Sequence, residues 1–398
     1  MISLHEALAS VDRVMAKHRV EAEALSTVVA MGRILAADQR SKVDLPPFNK
    51  SAMDGYAVME DDRRDEYRIL ETVAAGEVPT RPLEVGAATK VMTGAPVPVG
   101  SGRVIMVEDT DGGSEIVCVR EHRAATNICC QGEDIRVGQV IMKAGAKLTP
   151  VRVANLVACG VECVAVSRRI RVAIYATGDE IVDAFEDLVP GKIMNENGPM
   201  LEGLCRQNDL EVTLSERVPD NRAVLKDALE KAAAEADMIL MSGGVSAGDF
   251  DFVPAAMADA GFALHFDSVA VQPGKPVTFA TRGRHVVLGM PGNPVSVFIT
   301  FHLYARRIAA WLSGAQPPLR TLPVKMATEM SRRRAERAGF IPCLLNEQGH
   351  AEPLPYHGSA HLLAIGDADG FIEIPIGVKR LAPGDEATFY PLALGMWR

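Results

Sequence analysis

The chain has 398 residues, of which 48% are hydrophobic and 23% are charged, and its formal net charge is −9. This length exceeds a single hydrophobic core and predicts several domains, and the acidic balance argues against nucleic acid or an anionic membrane as the main partner. No apolar run approaches membrane-spanning length, the first residues lack a signal-peptide layout, and seven scattered cysteines suit a reducing compartment. We therefore expect a cytoplasmic protein.

Helical patterns open the chain and return near its middle. Ser3 and Glu6 form a capping-box pattern before an amphipathic run, and a second helix is predicted over residues 25–36. Thr149-Pro150 has the N-cap and first-turn chemistry of a third helix. We expect this third helix to pack with the first two, which gives a discontinuous helical linker domain of residues 1–42 and 141–169.

Two segments have the short apolar runs and frequent turns of β structure. Residues 43–140 are punctuated by glycine and predict a mostly β insertion domain. A second such segment begins at the helix-breaking prolines Pro317-Pro318. It predicts a C-terminal β-barrel-like domain of residues 316–398.

Between them, residues 170–315 alternate apolar strands with amphipathic helices. This rhythm predicts a central doubly wound parallel-sheet domain within an α/β multidomain fold, with a binding crevice at the carboxyl ends of the strands. Glu180 and the turn at Gly243-Gly244 fall at such ends. The loop 291–294 precedes a helix predicted over residues 295–313, whose free N–H groups and positive dipole end should face the same rim.

The segment from Gly243 to Asp251 is the most informative part of the sequence. Glycines let backbone N–H groups approach an anion closely, and the carboxylates of Asp249 and Asp251 follow within a few residues. Carboxylates beside an anion cradle need a divalent cation between them. Two glycines alone would favour an ordinary turn with a solvated acidic loop, but the nine-residue string is more specific.

That string resembles the GGVSxGDxD signature of the MoeA family of molybdopterin molybdenumtransferases, which includes the E domain of gephyrin. Further strings are similar to family motifs and stand in the expected order along the chain: SAMDGYA at 51–57, MTGAP at 92–96, GED at 132–134, QPGKP at 272–276, PGNPVS at 291–296, GS at 358–359 and ADG at 368–370. A single string is a weak signal, but this collinearity makes a chance match very improbable.

The resemblance implies an enzyme of molybdenum cofactor biosynthesis. It implies that adenylylated molybdopterin and molybdate are the substrates, that molybdenum is inserted at the dithiolene, and that AMP and molybdenum cofactor are released. Cleavage of the phosphoanhydride calls for a metal that neutralises charge on the phosphates, with Mg²⁺ as the expected ion. The expected unit is an elongated homodimer, with a molybdopterin adenylyltransferase and molybdoenzyme maturation proteins as further partners.

The site residues are carried over from the resemblance position by position. Asp249 and Asp251 are assigned to the metal, and the other catalytic positions are Asp54, Thr93, Asp134, Glu180, Asp220 and Lys275. The positions expected to bind phosphate or pterin are Gly243, Gly244, Ser246, Pro291, Asn293, Pro294 and Ser359. Asp54, Thr93 and Asp134 are expected to reach a site on the partner subunit.

Several of these residues have simpler explanations. Aspartates in turns, such as Asp54 and Asp134, commonly bond their own backbone, and Lys275 has the context of a surface lysine in a tight turn. Asp220 precedes a helix predicted over residues 221–235 and is expected to be its N-cap, a role compatible with catalysis. For these positions the resemblance favours function.

Two other functions remain open. One is an adenylyltransferase of the related single-domain fold, which shares the Ser-Gly-Gly turn, although the match over the insertion and tail segments disfavours it. The other is a carrier or scaffold that binds the cofactor without releasing AMP, as gephyrin also serves as a scaffold. The sequence does not name the molybdoenzymes that receive the product, and it does not separate molybdate from tungstate.

The chain departs from the family just before the GED motif. Where relatives usually carry arginine, it reads Cys129-Cys130-Gln131, and a second departure is Asp267-Ser268 before the QPGKP loop. The cysteines are either a thiolate pair that touches a soft metal or small apolar residues that fill the space of the arginine. The second interpretation is favoured, because adjacent residues of a strand point to opposite faces.

Overall fold

The computed structural model describes residues 1–245, 252–317 and 321–392, apart from the side chain of Ala364. These residues form two compact units, one of Met1–Glu23 with Ser167–Arg398 and one of Ala24–Val166. The predicted boundaries of the four domains remain a prediction. None of the helices in these ranges combines the length and the apolar character needed to cross a membrane.

The larger unit is built on a six-stranded sheet. In spatial order its strands are Glu211–Val218, Arg171–Thr177, Met238–Ser242, His285–Met290, Pro276–Arg282 and Ala263–Ser268. The first four strands are parallel to one another, and the last two are added antiparallel at one edge. The carboxyl ends of the parallel strands therefore meet at one rim, as the alternating pattern predicts.

Helices cover both faces of this sheet. Successive side chains of the strand Arg171–Thr177 alternate between two cores, because Val172 and Ile174 belong to one hydrophobic cluster and Ala173 and Tyr175 to the other. The first cluster contains side chains of the helices Leu4–Met15, Asn197–Gln207, Pro294–Thr300 and Arg306–Ser313. The second contains side chains of the helices Arg222–Glu235 and Val253–Asp259. The predicted doubly wound sheet is confirmed.

The helical predictions are corrected in four places, of which the first two concern the linker. The N-terminal helix has the predicted capping box, but it packs in the core of the α/β sheet. The predicted helix over residues 25–36 is wrong: the strand Ala22–Ser26 is followed by turns. Thr27 there bonds to distant backbone, its N–H to Glu162 O at 2.8 Å and its hydroxyl to Val161 O at 2.6 Å. These long-range bonds replace local helical ones.

The other two corrections concern helix packing and continuity. The helix Pro150–Ala158 starts as predicted, with Thr149 as its N-cap, but it packs on Ala30 and Leu35 and not on the helix Leu4–Met15. The helix predicted over residues 295–313 is interrupted by a π-helical turn at Phe301–Ala305. It ends at Gly314, which adopts the left-handed conformation, with φ +77°.

Two further sheets of five or more strands lie outside the α/β core in the described part of the chain. In the smaller unit a five-stranded sheet has the order Ser101–Met106, Gly55–Met59, Ala87–Val91, Glu66–Val73 and Ile116–Cys118. In the C-terminal region the sheet has the order Val271–Gln272, Ala338–Leu345, Gly370–Ile374, Glu386–Pro391 and Leu322–Lys325, and Ala351–Pro353 pairs with Ala338–Leu345. A bridge between Met326 and Ala351 links this last strand to the far edge, which gives the expected barrel-like character.

Candidate active site

A cavity of about 450 Å³ lies at the carboxyl ends of the parallel strands of the larger unit. Thr177 is the last residue of the strand Arg171–Thr177, and Gly243 directly follows the strand Met238–Ser242. Asn293 and Pro294 contribute the start of a helix on the other side. The cavity therefore lies where the topology of the sheet predicts a binding crevice.

The glycine turn is required by close packing against the neighbouring strand. A Cβ atom on Gly243 would lie 2.3 Å from Thr177 O, and one on Gly244 would lie 2.9 Å from a Val253 methyl group. Both glycines also have positive φ, +97° and +62°. However, the Gly243 N–H donates to Met290 O at 3.0 Å. The turn is thus tightly built as predicted, but this N–H group is not available to an anion.

Two of the predicted carboxylates line the cavity together. Glu180 and Asp220 both face it, and Asp220 N–H donates to Asp179 Oδ1 at 3.3 Å. Burial raises the pKa of Asp220, and the negative charges of Asp179 and Glu180 raise it further. The nearby Asp179 N–H and Thr177 hydroxyl oppose this rise in pKa without reversing it. Within the described part of the chain, Asp220 Oδ1 is buried without a hydrogen-bond partner. A buried acceptor in this state is ready for a ligand that brings a donor or a cation.

The N-cap prediction for Asp220 is wrong. The helix Arg222–Glu235 is capped by Asn221, whose Oδ1 accepts from the N–H groups of Ala223 at 3.0 Å and Val224 at 3.2 Å. Because Asn221 caps the helix, the carboxylate of Asp220 is not needed there and faces the cavity.

Three predicted positions lie outside the described residues: Ser246, Asp249 and Asp251. Their assignment to phosphate and metal binding stays a prediction. Among residues 1–245, 252–317 and 321–392, no group of three or more His, Cys, Asp or Glu side chains is arranged to hold a metal ion. A metal at this cavity would therefore need ligands beyond Glu180 and Asp220.

The loop at 291–294 is tied to the C-terminal region. Asn293 Nδ2 donates to Ser359 Oγ at 2.7 Å, and Val295 N–H donates to Ser359 O at 3.1 Å. Ala360, next to Ser359, lines the cavity with Pro291, Asn293 and Pro294. The predicted free helix terminus is corrected in part, because the Val295 N–H already has a protein acceptor.

Lys275 is exposed and is not among the lining residues, although its neighbour Pro276 is. Its carbonyl oxygen accepts from Val269 N–H at 3.0 Å, which fixes the backbone of the loop. The structure thus places the lysine beside the cavity and leaves its ammonium group in solvent.

The other predicted catalytic residues belong to the smaller unit. Asp54 Oδ1 accepts two hydrogen bonds from Thr93, from its N–H at 2.6 Å and from its hydroxyl at 2.7 Å. These bonds hold the pKa of Asp54 below its ordinary value, so this carboxylate stays ionised. Asp134 is exposed, and its N–H donates to Leu45 O at 2.9 Å.

The departure before the GED motif lies in the same unit. Cys129 is half-buried, and burial together with the Glu133 carboxylate raises the pKa of its thiol, which disfavours the thiolate. Cys130 is exposed, so the interpretation that it fills the space of an arginine does not hold for this residue. Gln131 donates from Nε2 to Asp44 Oδ2 at 3.0 Å.

Sequence reasoning missed four polar residues of the lining: Thr177, Asn195, Glu196 and Asn197. The signal for the last three was available, because three consecutive polar residues follow the apolar pair Ile193–Met194, and the third of them begins the next helix. Such polar runs at a strand-to-helix junction on the binding rim are candidates for ligand contact.

Comparisons with known proteins cover nearly the whole chain. Residues 2–160 match the model of the "MoeA N-terminal region (domain I and II)", residues 173–310 a "Probable molybdopterin binding domain", and residues 324–392 the "MoeA C-terminal region (domain IV)". The chain belongs to the MoeA family of molybdopterin molybdenumtransferases, which act in molybdenum cofactor biosynthesis. The family, fold class and activity class expected from the resemblance are confirmed.

Individual relatives match over most of their length. A molybdopterin molybdenumtransferase of Nostoc sp. is 36% identical over 390 residues, covering 94% of this chain and 89% of the relative. One from Staphylococcus epidermidis is 30% identical over 397 residues, covering 96% and 94%. The crystal structure of a molybdopterin biosynthesis MoeA protein from Pyrococcus horikoshii superposes with a TM-score of 0.84, at 29% identity, covering 98% of this chain and all of the other.

Proposed function

We propose that this chain inserts molybdenum, supplied as molybdate, into adenylylated molybdopterin, and that AMP and molybdenum cofactor are released. The observation that carries the proposal is the cavity at the sheet rim, where a glycine turn, three carboxylates and apolar side chains line one space in a chain of the MoeA family. A phosphate-bearing heterocycle needs this combination of close backbone approach, charge handling and apolar surface.

The charge of the cavity supports a role for a divalent cation. Its described lining includes the acidic residues Glu180, Glu196 and Asp220 and no lysine, arginine or histidine. An anionic substrate would be repelled from such a lining. The buried, unpartnered Asp220 Oδ1 is an oxygen ligand of the kind that Mg²⁺ prefers, and with Glu180 it would supply part of the ligand set of this ion.

We assign Asp220 and Glu180, together with Asp249 and Asp251, to holding Mg²⁺. The bound ion would neutralise the negative charge that develops on the phosphate oxygens as the anhydride is cleaved. The chain's own residues shape the cavity that holds the substrate: the glycine turn packs closely against Thr177, and the Asn293–Ser359 hydrogen bond fixes the loop that lines the cavity with Pro294. Lys275 supplies a mobile positive charge from the neighbouring loop.

We also propose that the site is completed across a homodimer, by Asp54, Thr93 and Asp134 of a second copy. Support comes from the two hydrogen bonds of Thr93, which orient the solvent-exposed, ionised carboxylate of Asp54. An exposed, pre-oriented carboxylate of this kind is poised for a partner that lies outside its own unit.

Subunit mixing tests the shared site. Asp54→Ala and Asp251→Ala homodimers should both be inactive, and a fully exchanged equal mixture should regain about a quarter of the parental activity, because half the dimers carry one intact composite site. Subunit exchange is verified by differently tagged protomers. No recovery in a mixture with confirmed exchange would contradict the shared site.

The two alternative functions differ in measurable ways. An adenylyltransferase would consume ATP and molybdopterin without molybdate, whereas the proposed enzyme would leave ATP unchanged. A carrier would bind adenylylated molybdopterin and release no AMP when molybdate is added. For the physiological setting we propose the cytoplasm, and we propose an adenylyltransferase as the enzyme that supplies the substrate, since the substrate is an adenylylated pterin.

A further inference from the structure

Three consecutive residues, Asn195, Glu196 and Asn197, line one wall of the cavity. The two asparagines hold the wall in place. Asn195 donates from Nδ2 to Asp183 Oδ1 at 2.8 Å and accepts from Gly198 N–H at 3.0 Å. Asn197 donates from Nδ2 to Gly292 O at 2.7 Å. The segment is thus anchored on both sides of Glu196.

Among the described residues, the side chain of Glu196 has no structural role, because neighbouring residues already make the bonds that it could make. It occupies the N-cap position of the helix Asn197–Gln207 but makes no side-chain capping bond, because Asn195 satisfies the Gly198 N–H. In the described part of the chain its carboxylate receives no hydrogen bond and forms no salt bridge. Glu196 is exposed, and the part of its carboxylate that the cavity wall covers raises its pKa.

Because Glu196 is exposed to the cavity, its carboxylate is free to bind a ligand there, and the neighbouring lining shows which kind of ligand suits it. Around Glu196 the wall is apolar, since Ile181, Ile193 and Met194 line the same cavity. The Oδ1 atom of Asn197 is a further acceptor, buried and without a partner among the described residues, and the residue is only 5% exposed. The wall therefore offers apolar surface for a flat ring and acceptors for hydrogen-bond donors at its edge.

The two heterocycles of adenylylated molybdopterin present different edges. The pterin ring carries a 2-amino group beside an N3–H group, two adjacent donors that match the two oxygens of one carboxylate in a bidentate pair. Adenine presents its amino donor beside the N1 acceptor, and that lone pair would face a carboxylate oxygen unfavourably. The chemistry of this wall therefore favours the pterin.

We propose that Glu196 binds the 2-amino and N3–H edge of the pterin ring and thereby selects pterins at this cavity. The proposal rests on the proposed function only in that the substrate contains a pterin. It adds a specificity residue to the carboxylates Glu180 and Asp220, which serve the phosphates and the metal.

The test uses two ring systems that differ only at this edge: 6-hydroxymethylpterin and 6-hydroxymethyllumazine, in which a carbonyl replaces the 2-amino group. The full-length wild-type protein should bind the pterin at least 10-fold more tightly, from the cost of losing a charge-assisted hydrogen bond. Glu196→Gln conserves shape and should weaken pterin binding roughly 10- to 100-fold while removing the preference over lumazine. AMP binding should not change.

The matched control is Glu186→Gln, an exposed glutamate of the neighbouring turn Phe185–Asp187 that does not line the cavity. It should behave as the wild type in all titrations. An unchanged pterin-to-lumazine ratio in Glu196→Gln, an equal loss of AMP affinity, or a loss confined to Mg²⁺ affinity would each overturn the proposal. These titrations need no turnover, so a failure of the proposed transferase activity would be seen separately, as absent AMP release by a protein that still selects the pterin.

Discussion

The two ends of the central sheet each hold a buried carboxylate oxygen, which has hydrogen-bond partners at the amino end and, among the described residues, none at the carboxyl end. At the amino end, Asp237 precedes the strand Met238–Ser242 and is only 3% exposed. Arg168 binds both of its oxygens, at 2.6 and 2.8 Å, and Arg171 N–H adds a third hydrogen bond at 2.9 Å. At the carboxyl end, Asp220 has a buried oxygen without a partner in the described residues, and the charges of Asp179 and Glu180 lie close by.

This contrast separates stability from function. Although burial acts to raise the pKa of Asp237, the bonds from Arg168 and Arg171 hold it below its ordinary value, so its ionised form stabilises the fold. The pKa of Asp220 is raised, so its ionised form is unfavourable until a cation or donor arrives. The same residue type thus serves the fold at one end and a ligand at the other.

The largest effect is expected from breaking the amino end. Asp237→Asn should lower the free energy of unfolding by about 3–5 kcal/mol, because it leaves a partly buried Arg168 charge without its main partner. The lower end of this range is expected, since Arg168 keeps Glu21 at 2.7 Å. Urea denaturation followed by circular dichroism measures the change, and activity per folded molecule should stay at the parental value.

The control for this variant is Glu216→Gln, which removes an exposed ion pair with Lys231. It should cost less than about 1 kcal/mol. Equal losses of unfolding free energy in the two variants would show that the buried Asp237–Arg168 pair stabilises the fold no more than an exposed ion pair does.

Asp220→Asn should have the opposite effect to Asp237→Asn, a loss of activity with stability retained. Removing one charge at the rim should slow AMP release roughly 100- to 1000-fold, the scale found when a group that stabilises developing charge is removed. Folding stability should be unchanged or slightly raised, because the repulsion from Asp179 and Glu180 is relieved. Rates at saturating substrate and Mg²⁺, together with thermal melts, measure both quantities. A variant that melts well below the wild type would assign Asp220 to the fold instead.

The smallest effect is a pH dependence of opposite sign at the two ends. The lowered pKa of Asp237 gives stability that is present above its unfolded pKa, near 3.9, and is lost as the pH falls through the folded value. The raised pKa of Asp220 gives stability that is present below about pH 3.9 and is lost as the pH rises through the folded value. Relative to wild type, Asp237→Asn should therefore recover towards low pH, and Asp220→Asn should gain as the pH rises. Melting curves from about pH 3 to pH 8 measure the two trends.

Much of the central fold could be predicted from the sequence because its strands are apolar on both faces. The strand Arg171–Thr177 supplies side chains to two cores, and only a sheet covered on both sides needs such a pattern. The segment around Thr27 could not be predicted in this way. Its apolar residues have helical spacing, but the N–H and the hydroxyl of Thr27 donate to the carbonyl oxygens of residues 162 and 161, more than 130 positions away.

In the candidate site, the sequence likewise predicts which residues are present but not which hydrogen-bond partner each of them has. The sequence predicts the glycine turn, but not that Met290 O takes the Gly243 N–H. It places Asp220 and Asn221 side by side, both good N-caps, and only the folded backbone decides that Asn221 takes the role. Glu196 went unnoticed for a related reason, because its freedom depends on Asn195 satisfying the helix terminus.

The most direct test of the central claim is AMP release from adenylylated molybdopterin by the wild-type protein, followed by chromatography with Mg²⁺ present and molybdate varied. We expect release to rise with molybdate to saturation, to require Mg²⁺, and to be accompanied by molybdenum cofactor that activates a cofactor-free molybdoenzyme. The Asp220→Asn protein should remain near the uncatalysed background. AMP release that is absent from folded, dimeric wild-type protein at saturating molybdate would contradict the account.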